Sequence, residues 1–433
     1  MSAVLLRKTR SVCPKCLKNL PASLVQRADG AVYMEKTCPE HGDFSAVVWR
    51  GRADFASWRA GAEPLGETEG LNCPGDCGSC EAHPQGSCCV LLEVTRRCNL
   101  RCRFCFAEGG MPEPTLAELR AAVDDIFAKA RPGKPLLQLS GGEPTLRDDL
   151  PELVRQIRER GGRWVQLNTN GLRLAEDPAY VRALAEAGLG IVFLQFDGTD
   201  DTVYETLRGR PLLDVKYRAI ENCGRAGLGV TLVPTVVRGV NDNQVGRILR
   251  EAAFLSPVVR GVHFQPVSFF GRIPGLPAQD SRYTLDELIA ALTEQAGIPA
   301  EAILPSRCDH PACGLHAAFS VGDDLTLTPL LRRSANRGQS SADRNRAFIA
   351  GHWSAARAET EAAPGSLDEF LNEAGRRSFT VTAMAFQDAG NLDAERLQRC
   401  SLHVYEGGRL LPFCARYLTP LEDEETEWHT EAE

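Results

Sequence analysis

The apolar positions of this chain follow two alternating patterns between residues 90 and 267. Short continuous runs rich in Val, Leu, Ile and Phe are separated by longer stretches with apolar residues three and four apart. The short runs are VLLEVT (90–95), LLQLS (136–140), WVQLNTN (164–170), GIVFLQFD (190–197), GVTLVPTVV (229–237) and GVHFQPV (261–267). Between them the spacing predicts helices near 115–130, 149–160, 178–187, 213–226 and 242–254. Continuous apolar strands bounded by helices are the mark of parallel strands buried on both faces. Six βα units of about 30 residues each predict an α/β fold, either a partial (β/α)6 barrel of TIM type or a doubly wound sheet. In both architectures the chemistry sits at the C-terminal ends of the strands. Beyond 268, helices are predicted at 284–297 and 366–377, and RRSANRGQSSADRNR (332–346) reads as an exposed loop.

Composition narrows the class. The chain has 433 residues, 43% of them hydrophobic and 24% charged, which fits a globular protein and excludes a mainly disordered or collagen-like one. It has no run of 18 apolar residues, so no transmembrane segment is expected. The start, MSAVLLRKTR, offers only Val4-Leu5-Leu6 before charge returns, too little for a secretory signal, and a cytoplasmic location is expected. The net charge of −8 comes largely from the end 421–433, which carries seven acids and no Lys or Arg and reads as a solvated, disordered tail. No basic stripe dominates, so no nucleic-acid partner is expected.

Cysteine is the anomaly, with 16 in the chain. A chain this long buries a large core without disulfide staples, and clustered cysteines in a reducing compartment more often bind metal. They fall into blocks. Cys13-Pro14-Lys15-Cys16 and Cys38-Pro39-Glu40-His41 form a C-x2-C…C-x2-H pattern around the β-type insert AVYMEK (31–36). Four such ligands suit a mononuclear Zn or a rubredoxin-like Fe, although His41 also reads as a surface histidine in a turn. Cys73, Cys77, Cys80 and Cys88 give four thiols in CPGDCGSCEAHPQGSC (73–88), enough for an iron–sulfur cluster or a zinc. Cys89 points away from Cys88 in extended chain and is expected in the core, as is Cys223 on a helix. Cys308 and Cys313, with Cys400 and Cys414, form a third set if the fold unites them; buried, unrelated thiols are the alternative, and His310, His316 and His403 are alternative ligands or satisfied polar residues.

The chemistry concentrates after the first strand, in CNLRCRFCFA (98–107). Cys98, Cys102 and Cys105, at C-x3-C-x2-C, hold three irons of a [4Fe-4S] cube and leave the fourth open to an external ligand; taken alone, the spacing also fits a structural metal site. At the end of the second strand stands SGGEPT (140–145), where glycines allow close backbone approach and Glu143 is placed to pair with an amino group. NTNG (168–171) and QFDG (195–198) end the third and fourth strands; each also reads as a turn, and Asp197 as a cap.

The order of these motifs resembles the radical S-adenosylmethionine (SAM) superfamily, over about residues 90–267. The resemblance implies that Cys98, Cys102 and Cys105 are catalytic and hold the cluster. It implies that SAM chelates the open iron, that Gly141, Gly142 and Glu143 meet its amino group, and that Phe104 lies beside its adenine. Thr169, Asn170 and Asp197 are implied as further cofactor contacts, and PTVVRGVND (234–242) as an adenine cradle. The layout of the flanking cysteines is similar to a multi-cluster branch containing pterin-type methylases and archaeal tetraether lipid synthases. That likeness implies two auxiliary clusters, reductive cleavage of SAM to a 5′-deoxyadenosyl radical, hydrogen abstraction at unactivated carbon and C–C bond formation on a small-molecule or lipid substrate. It also implies a flavodoxin or ferredoxin-type electron donor. The competing readings are a peptide-modifying radical SAM maturase and a non-catalytic iron–sulfur electron carrier. The expected organisation is a metal domain at 1–70, an auxiliary cluster segment at 71–89, the core at 90–270, a C-terminal auxiliary-cluster domain at 271–420 and the tail at 421–433.

Overall fold

In the computed structural model, the structure describes residues 3–60, 72–77, 83, 86–107, 113–131, 133–273, 281–306, 309–330, 353 and 366–421. The predicted loop 332–346, the tail beyond 421, Cys80 and Cys308 lie outside the described residues.

The six predicted strands form β5 (Cys89–Thr95), β6 (Leu136–Gly141), β7 (Val165–Thr169), β8 (Ile191–Gln195), β9 (Gly229–Val233) and, after the short β10 (Thr235–Val236), β11 (Val259–Pro266). They pair in chain order, all parallel. Val90, Leu91, Leu137, Leu139, Val165, Leu167, Val192, Leu194, Val230 and Leu232 are essentially sealed, which is why these runs read as continuously apolar. The helices between them cover the sheet with one apolar stripe each. In α3 (Leu150–Glu159), Leu150, Leu153, Val154 and Ile157 are buried at the three-and-four spacing that defines a core-facing helix. Helix α2 (Leu116–Lys129) starts where it does because Thr115 and Glu118 cap each other's backbone reciprocally.

The parallel run is longer than six. β15 (Ser378–Met384) adds beside β11 and β16 (Leu402–Glu406) beside β5, both parallel, giving eight consecutive parallel strands. β13 (Gly314–Val321) and β17 (Arg409–Pro412) flank them antiparallel. Short β12 (Leu304–Pro305) and β14 (Leu327–Pro329) complete a 13-stranded sheet. Among the described residues no ladder joins its two ends. The segment expected as a separate C-terminal domain therefore contributes strands to the same sheet. The sequence placed no strand at 378–384 or 402–406, because their parallel partners, β11 and β5, lie far away in the chain and no local period announces them.

The N-terminal unit is a four-stranded antiparallel sheet, β1 (Val4–Val12), β2 (Asn19–Gln26), β3 (Val32–Cys38) and β4 (Gly42–Trp49). One face, with Leu24, Val32, Met34 and Trp49, joins the main core. Its polar contacts converge on the segment between β15 and β16. Asp393 pairs with Arg7 and accepts from Thr9 Oγ1 at 2.7 Å. Buried Lys36 donates to the Ala389 carbonyl at 2.7 Å and to Ser11 Oγ at 2.9 Å; burial pulls its pKa down to about 7. Asp393 also caps the helix Ala394–Gln398 by accepting from the Glu395 N–H. Removing one partner of an ion pair at a buried interface costs about 3 kcal/mol. Asp393→Ala is therefore expected to lower the unfolding free energy from a denaturant titration by that much, with an unchanged unfolding free energy showing that the pair does not hold the two units together.

Candidate functional site

CNLRCRFCFA, SGGEPT, NTNG and QFDG all lie at the C-terminal ends of parallel strands. The turn after β6 is fastened to the turn after β5 by backbone. The Gly142 N–H donates to the Thr95 carbonyl at 2.8 Å and the Glu143 N–H to the Arg97 carbonyl at 2.7 Å. A Cβ on Gly141 would stand 2.2 Å from the Thr95 oxygen, and one on Gly142 2.1 Å from the Arg97 oxygen. Gly141 also takes φ of 115°, which side-chain-bearing residues rarely adopt. The two glycines thus let the second strand's end lie directly on the loop that enters Cys98.

Glu143 is almost fully buried, and its carboxylate accepts from four donors. These are Thr145 N–H (3.1 Å), Thr145 Oγ1 (2.6 Å), Thr169 Oγ1 (2.7 Å) and Asn170 N–H (2.7 Å). Burial nonetheless raises its pKa. Its oxygens tie the ends of β6 and β7 together. Asn170 Nδ2 donates to Asn99 Oδ1 at 2.8 Å, and Asn170 Oδ1 accepts from the Leu172 N–H at 3.0 Å. NTNG is thus both a turn and a brace on the cysteine loop. Lys216, buried on α7 (Leu213–Arg225), donates to the Asn170 carbonyl at 2.6 Å, and burial lowers its pKa to about 8.

Cys98, Cys102 and Cys105 share this loop. Cys98 is exposed at the surface, Cys102 is buried against Leu100, Leu172, Tyr204 and Leu212, and Cys105 is half-buried. Cys105 is clipped by two backbone bonds to Arg272, at 3.2 and 2.8 Å. Desolvation raises the Cys98 thiol to about 11, with Glu143, Cys102 and Cys105 adding to the rise. Three soft thiols on one loop, each close enough to affect the next, suit an iron–sulfur cube, whose cysteine sulfurs stand wider apart than those around a single ion. Phe104, between Cys102 and Cys105, is buried edge-on to Phe269 at 6.3 Å.

Asp197 is fully buried and closed in an ion pair. Arg208, the last residue of α6 (Asp201–Arg208), donates to its two oxygens at 2.8 and 2.7 Å, and the Thr235 N–H adds a bond at 3.1 Å. Arg208, Lys216, Asn99 and Arg272 were missed in the sequence. Arg208 and Lys216 left a signal there, each a charged residue on a buried stripe: Arg208 with Tyr204 and Leu207 on α6, Lys216 with Ala219 and Ile220 on α7.

At the N-terminus the ligand atoms of Cys13, Cys16, Cys38 and His41 all lie within 4.8 Å of one another. His41 Nδ1 is 3.5 Å from the sulfurs of both Cys13 and Cys38. Zn–S and Zn–N bonds at a tetrahedral angle set S···N at about 3.6 Å, so the donor set fits one tetrahedral ion. Burial pushes the Cys38 thiol up, but hydrogen bonds from the Glu40 backbone, His41 and Cys13 outweigh it and hold it down at about 6.

The remaining cysteines divide differently from the sequence grouping. Cys73 and Cys77 are reduced thiols buried together, and the hydrogen bond between them lowers the Cys73 pKa. They share an apolar cluster with Phe104, Cys414 and Tyr417. Cys88 instead donates its N–H to the Ser401 carbonyl at 2.9 Å, beside Cys400. Burial raises the Cys400 thiol most, with Asp309, Cys414 and Cys313 adding to the rise, and burial with Cys313 raises Cys414. Cys313 Sγ accepts from Arg396 Nε and Cys414 Sγ from the Gln387 N–H, both at 3.2 Å. Cys89 donates to Gln138 Oε1 at 3.2 Å, and Cys223 is buried in the core. His310 and His403 are buried, and His316 pairs in the β12–β13 ladder.

Residues 92–252 match the radical SAM superfamily, and residues 5–50 match the HMPTM N-terminal zinc ribbon domain. The chain belongs to the radical SAM superfamily and is an enzyme of it, with a zinc ribbon at its N-terminal end. It is 34% identical, over 94% of its length and 92% of the relative's, to 7,8-dihydro-6-hydroxymethylpterin dimethyltransferase of Methanocaldococcus jannaschii. It is 31% identical to Fe-coproporphyrin III synthase of Methanosarcina barkeri, over 51% of this chain and 56% of that protein. A solved radical SAM methyltransferase from Sphaerobacter thermophilus aligns over 69% of this chain and 75% of that one, at 16% identity and a TM-score of 0.36. Among the described residues no helix is long and apolar enough to cross a membrane.

Cys38→Ser breaks the ribbon's donor set. Anaerobic metal analysis of the full chain is expected to show the loss of one zinc per chain, while retention of the wild-type zinc content would contradict the assignment.

Proposed function

We propose that the chain is a radical SAM methyltransferase that forms C–C bonds at unactivated carbon of a pterin-type small molecule. The observation that carries this reading is the end-to-end likeness, 94% of this chain and 92% of the relative, to an enzyme named for dimethylating a pterin. The order of ribbon, triad and SGGEPT along the chain supports it.

The difficulty of the reaction is a strong C–H bond, which no protein acid or base removes, so a cofactor carries the chemistry. When bound, the [4Fe-4S] cluster and SAM supply one electron and a 5′-deoxyadenosyl radical that abstracts the hydrogen. The chain's own residues hold and shield. Cys98, Cys102 and Cys105 ligate three irons. The backbone of Gly141 and Gly142 meets the SAM amino group, in preference to the Glu143 carboxylate, whose oxygens are already committed to four donors. Phe104 covers the adenine, and Thr169 and Asn170 keep the β7 end against the cysteine loop. Asp197 acts through Arg208 and does not touch the cofactor. Positioning and the exclusion of water are the protein's contribution to rate. Cys73, Cys77, Cys80 and Cys88, with Cys308, Cys313, Cys400 and Cys414, would supply the thiolates of auxiliary clusters, and a flavodoxin or ferredoxin-type partner would be the electron donor.

The test is anaerobic incubation of reduced, reconstituted protein with SAM, a dihydropterin and cell extract as the source of a separate one-carbon donor, followed by mass spectrometry. The expected result is 5′-deoxyadenosine together with a methylated pterin. If wild type makes no more 5′-deoxyadenosine than Cys98→Ala, the radical assignment of the triad fails. If 5′-deoxyadenosine forms in excess of that control but cell-extract-supplemented reactions leave the pterin unmethylated, the substrate reading fails alone.

A further inference from the structure

We infer that the face of the parallel sheet turned away from its helices binds the ring of the substrate, an uncharged flat heterocycle. Gln138, Asn168, His263 and Gln265 hydrogen-bond its edge, over an aromatic floor of Phe193 and Trp353. The inference rests on the pterin-type substrate class proposed above.

Successive side chains of a strand point to opposite faces of its sheet. Leu139, Leu167, Leu194, Val262 and Phe264 point into the core shared with the helices, and each is sealed at 0% exposure. Their neighbours Gln138, Asn168, Gln195, His263 and Gln265 point the other way and are half-buried. β6, β7, β8 and β11 each have a paired strand on both sides, so this exposure does not come from a sheet edge. It faces open space over the inner face. The register lines that space with neighbours: Gln138 stands beside Gln166, Asn168 beside Phe193, Phe193 beside Thr231, and His263 beside Thr382.

Toward the N-terminal strand ends the same face is apolar. Leu136 and Ile191, the first residues of β6 and β8, cluster there with Phe193 and Trp353. The rings of Phe193 and Trp353 meet at 4.8 Å, and His263 lies 5.5 Å from Phe193 and 6.1 Å from Trp353. The Trp353 indole is fixed by donating to Thr380 Oγ1 at 2.9 Å. Above this floor polar atoms are left over. Gln138 Oε1 accepts from the Cys89 thiol at 3.2 Å and Asn168 Oδ1 from Gln166 Nε2 at 3.0 Å, which leaves the amide N–H groups of Gln138 and Asn168 to face elsewhere. Gln265 uses only its backbone for hydrogen bonds among the described residues. Thr231 Oγ1 is sealed from water with no partner there, a state that calls for an explanation in a native fold.

The carboxylates at the strand ends are already bonded, Asp197 to Arg208 and Glu93 to the Tyr417 hydroxyl, which donates at 2.6 Å. His263 Nδ1 is 2.8 Å from Thr382 Oγ1, and burial pulls its pKa down to about 4, so the ring is neutral at pH 7. The face therefore offers donors and acceptors without net charge. A side-chain amide presents its donors and its acceptor in one plane. A flat ring with a carbonyl, a ring N–H and an amino group along one edge matches that pattern, and a pterin has this edge. A hydrocarbon chain would cover the same amides without bonding them, at the desolvation cost of each. These residues thus select the heterocycle over a lipid. They bind and orient, and no covalent step is assigned to them.

The experiment is anaerobic equilibrium dialysis of a dihydropterin against the reconstituted full chain, with SAM present and no reductant, so that binding is read without turnover. Asn168→Leu and Gln265→Leu, with wild-type iron content, are each expected to bind the dihydropterin about tenfold more weakly than wild type, through the loss of hydrogen bonds to its edge. A second measurement needs no variant to fold. On wild type, the same dihydropteridine ring without its amino and oxo groups is expected to bind at least about tenfold more weakly, because the amides are then left unpaired. Leucine variants that bind the dihydropterin as tightly as wild type overturn the proposal, as does equal binding of the stripped ring. Wild type that binds no dihydropterin overturns the substrate reading itself.

Discussion

The contact on which the rest of the site depends is the backbone clamp between the ends of β5 and β6. Two N–H groups, of Gly142 and Glu143, reach the carbonyls of Thr95 and Arg97 at 2.8 and 2.7 Å. Any side chain at Gly141 or Gly142 would drive a carbon into those same carbonyls. Adjacent parallel strands run roughly 5 Å apart. Without the glycines the turns that leave them would be pushed apart, and the cysteine loop would lose its floor. Everything that positions the triad is built outward from that contact. Glu143 ties in β7, Asn170 ties in Asn99, α6 ties in Cys102, and Arg272 ties in Cys105.

The same logic explains why so much polar material is buried at this end of the sheet. Glu143, Asp197, Arg208, Lys216 and Asn241 are all sealed from water, yet each has hydrogen-bond partners among its neighbours. Buried charge is costly unless paired. A network in which each member is satisfied gives rigidity in return, and rigidity is what a site needs when its reactive group must not meet water or a wrong C–H bond. The N-terminal ribbon extends this bracing. It reaches the β15–β16 segment through Arg7, Thr9 and Lys36, and the Cys73 carbonyl through Asn19 at 2.7 Å. Its own four metal donors, in turn, hold its two knuckles together.

The sequence carried the parts of this that are local. Six strands buried on both faces leave continuous apolar runs, and the triad, SGGEPT and the C-x2-C…C-x2-H pattern are short enough to read directly. What was not legible is long-range. β15 and β16 extend the parallel run to eight strands through partners far away in the chain. The thiols of 73–88 were grouped by spacing, but the backbone of Cys88 belongs beside Ser401 while Cys73 and Cys77 lie with Cys414. Glu143 was read as a partner for an amino group, and nothing in a sequence shows that Thr145, Thr169 and the Asn170 N–H also bond to it. Arg208 was not singled out in the sequence, because only the fold pairs it with buried Asp197.

The clamp gives the account its most direct test. The electron paramagnetic resonance spectrum of the reduced triad cluster is recorded with and without SAM, in wild type and in Gly142→Ala. On the proposed assignment of the cluster to the triad, with one iron open to SAM, the wild-type spectrum should change when SAM is added. In Gly142→Ala the added Cβ, 2.1 Å from the Arg97 oxygen, should displace the cysteine loop and abolish that change or the signal itself. A Gly142→Ala protein with the same iron content and the same SAM-induced change as wild type would contradict the account.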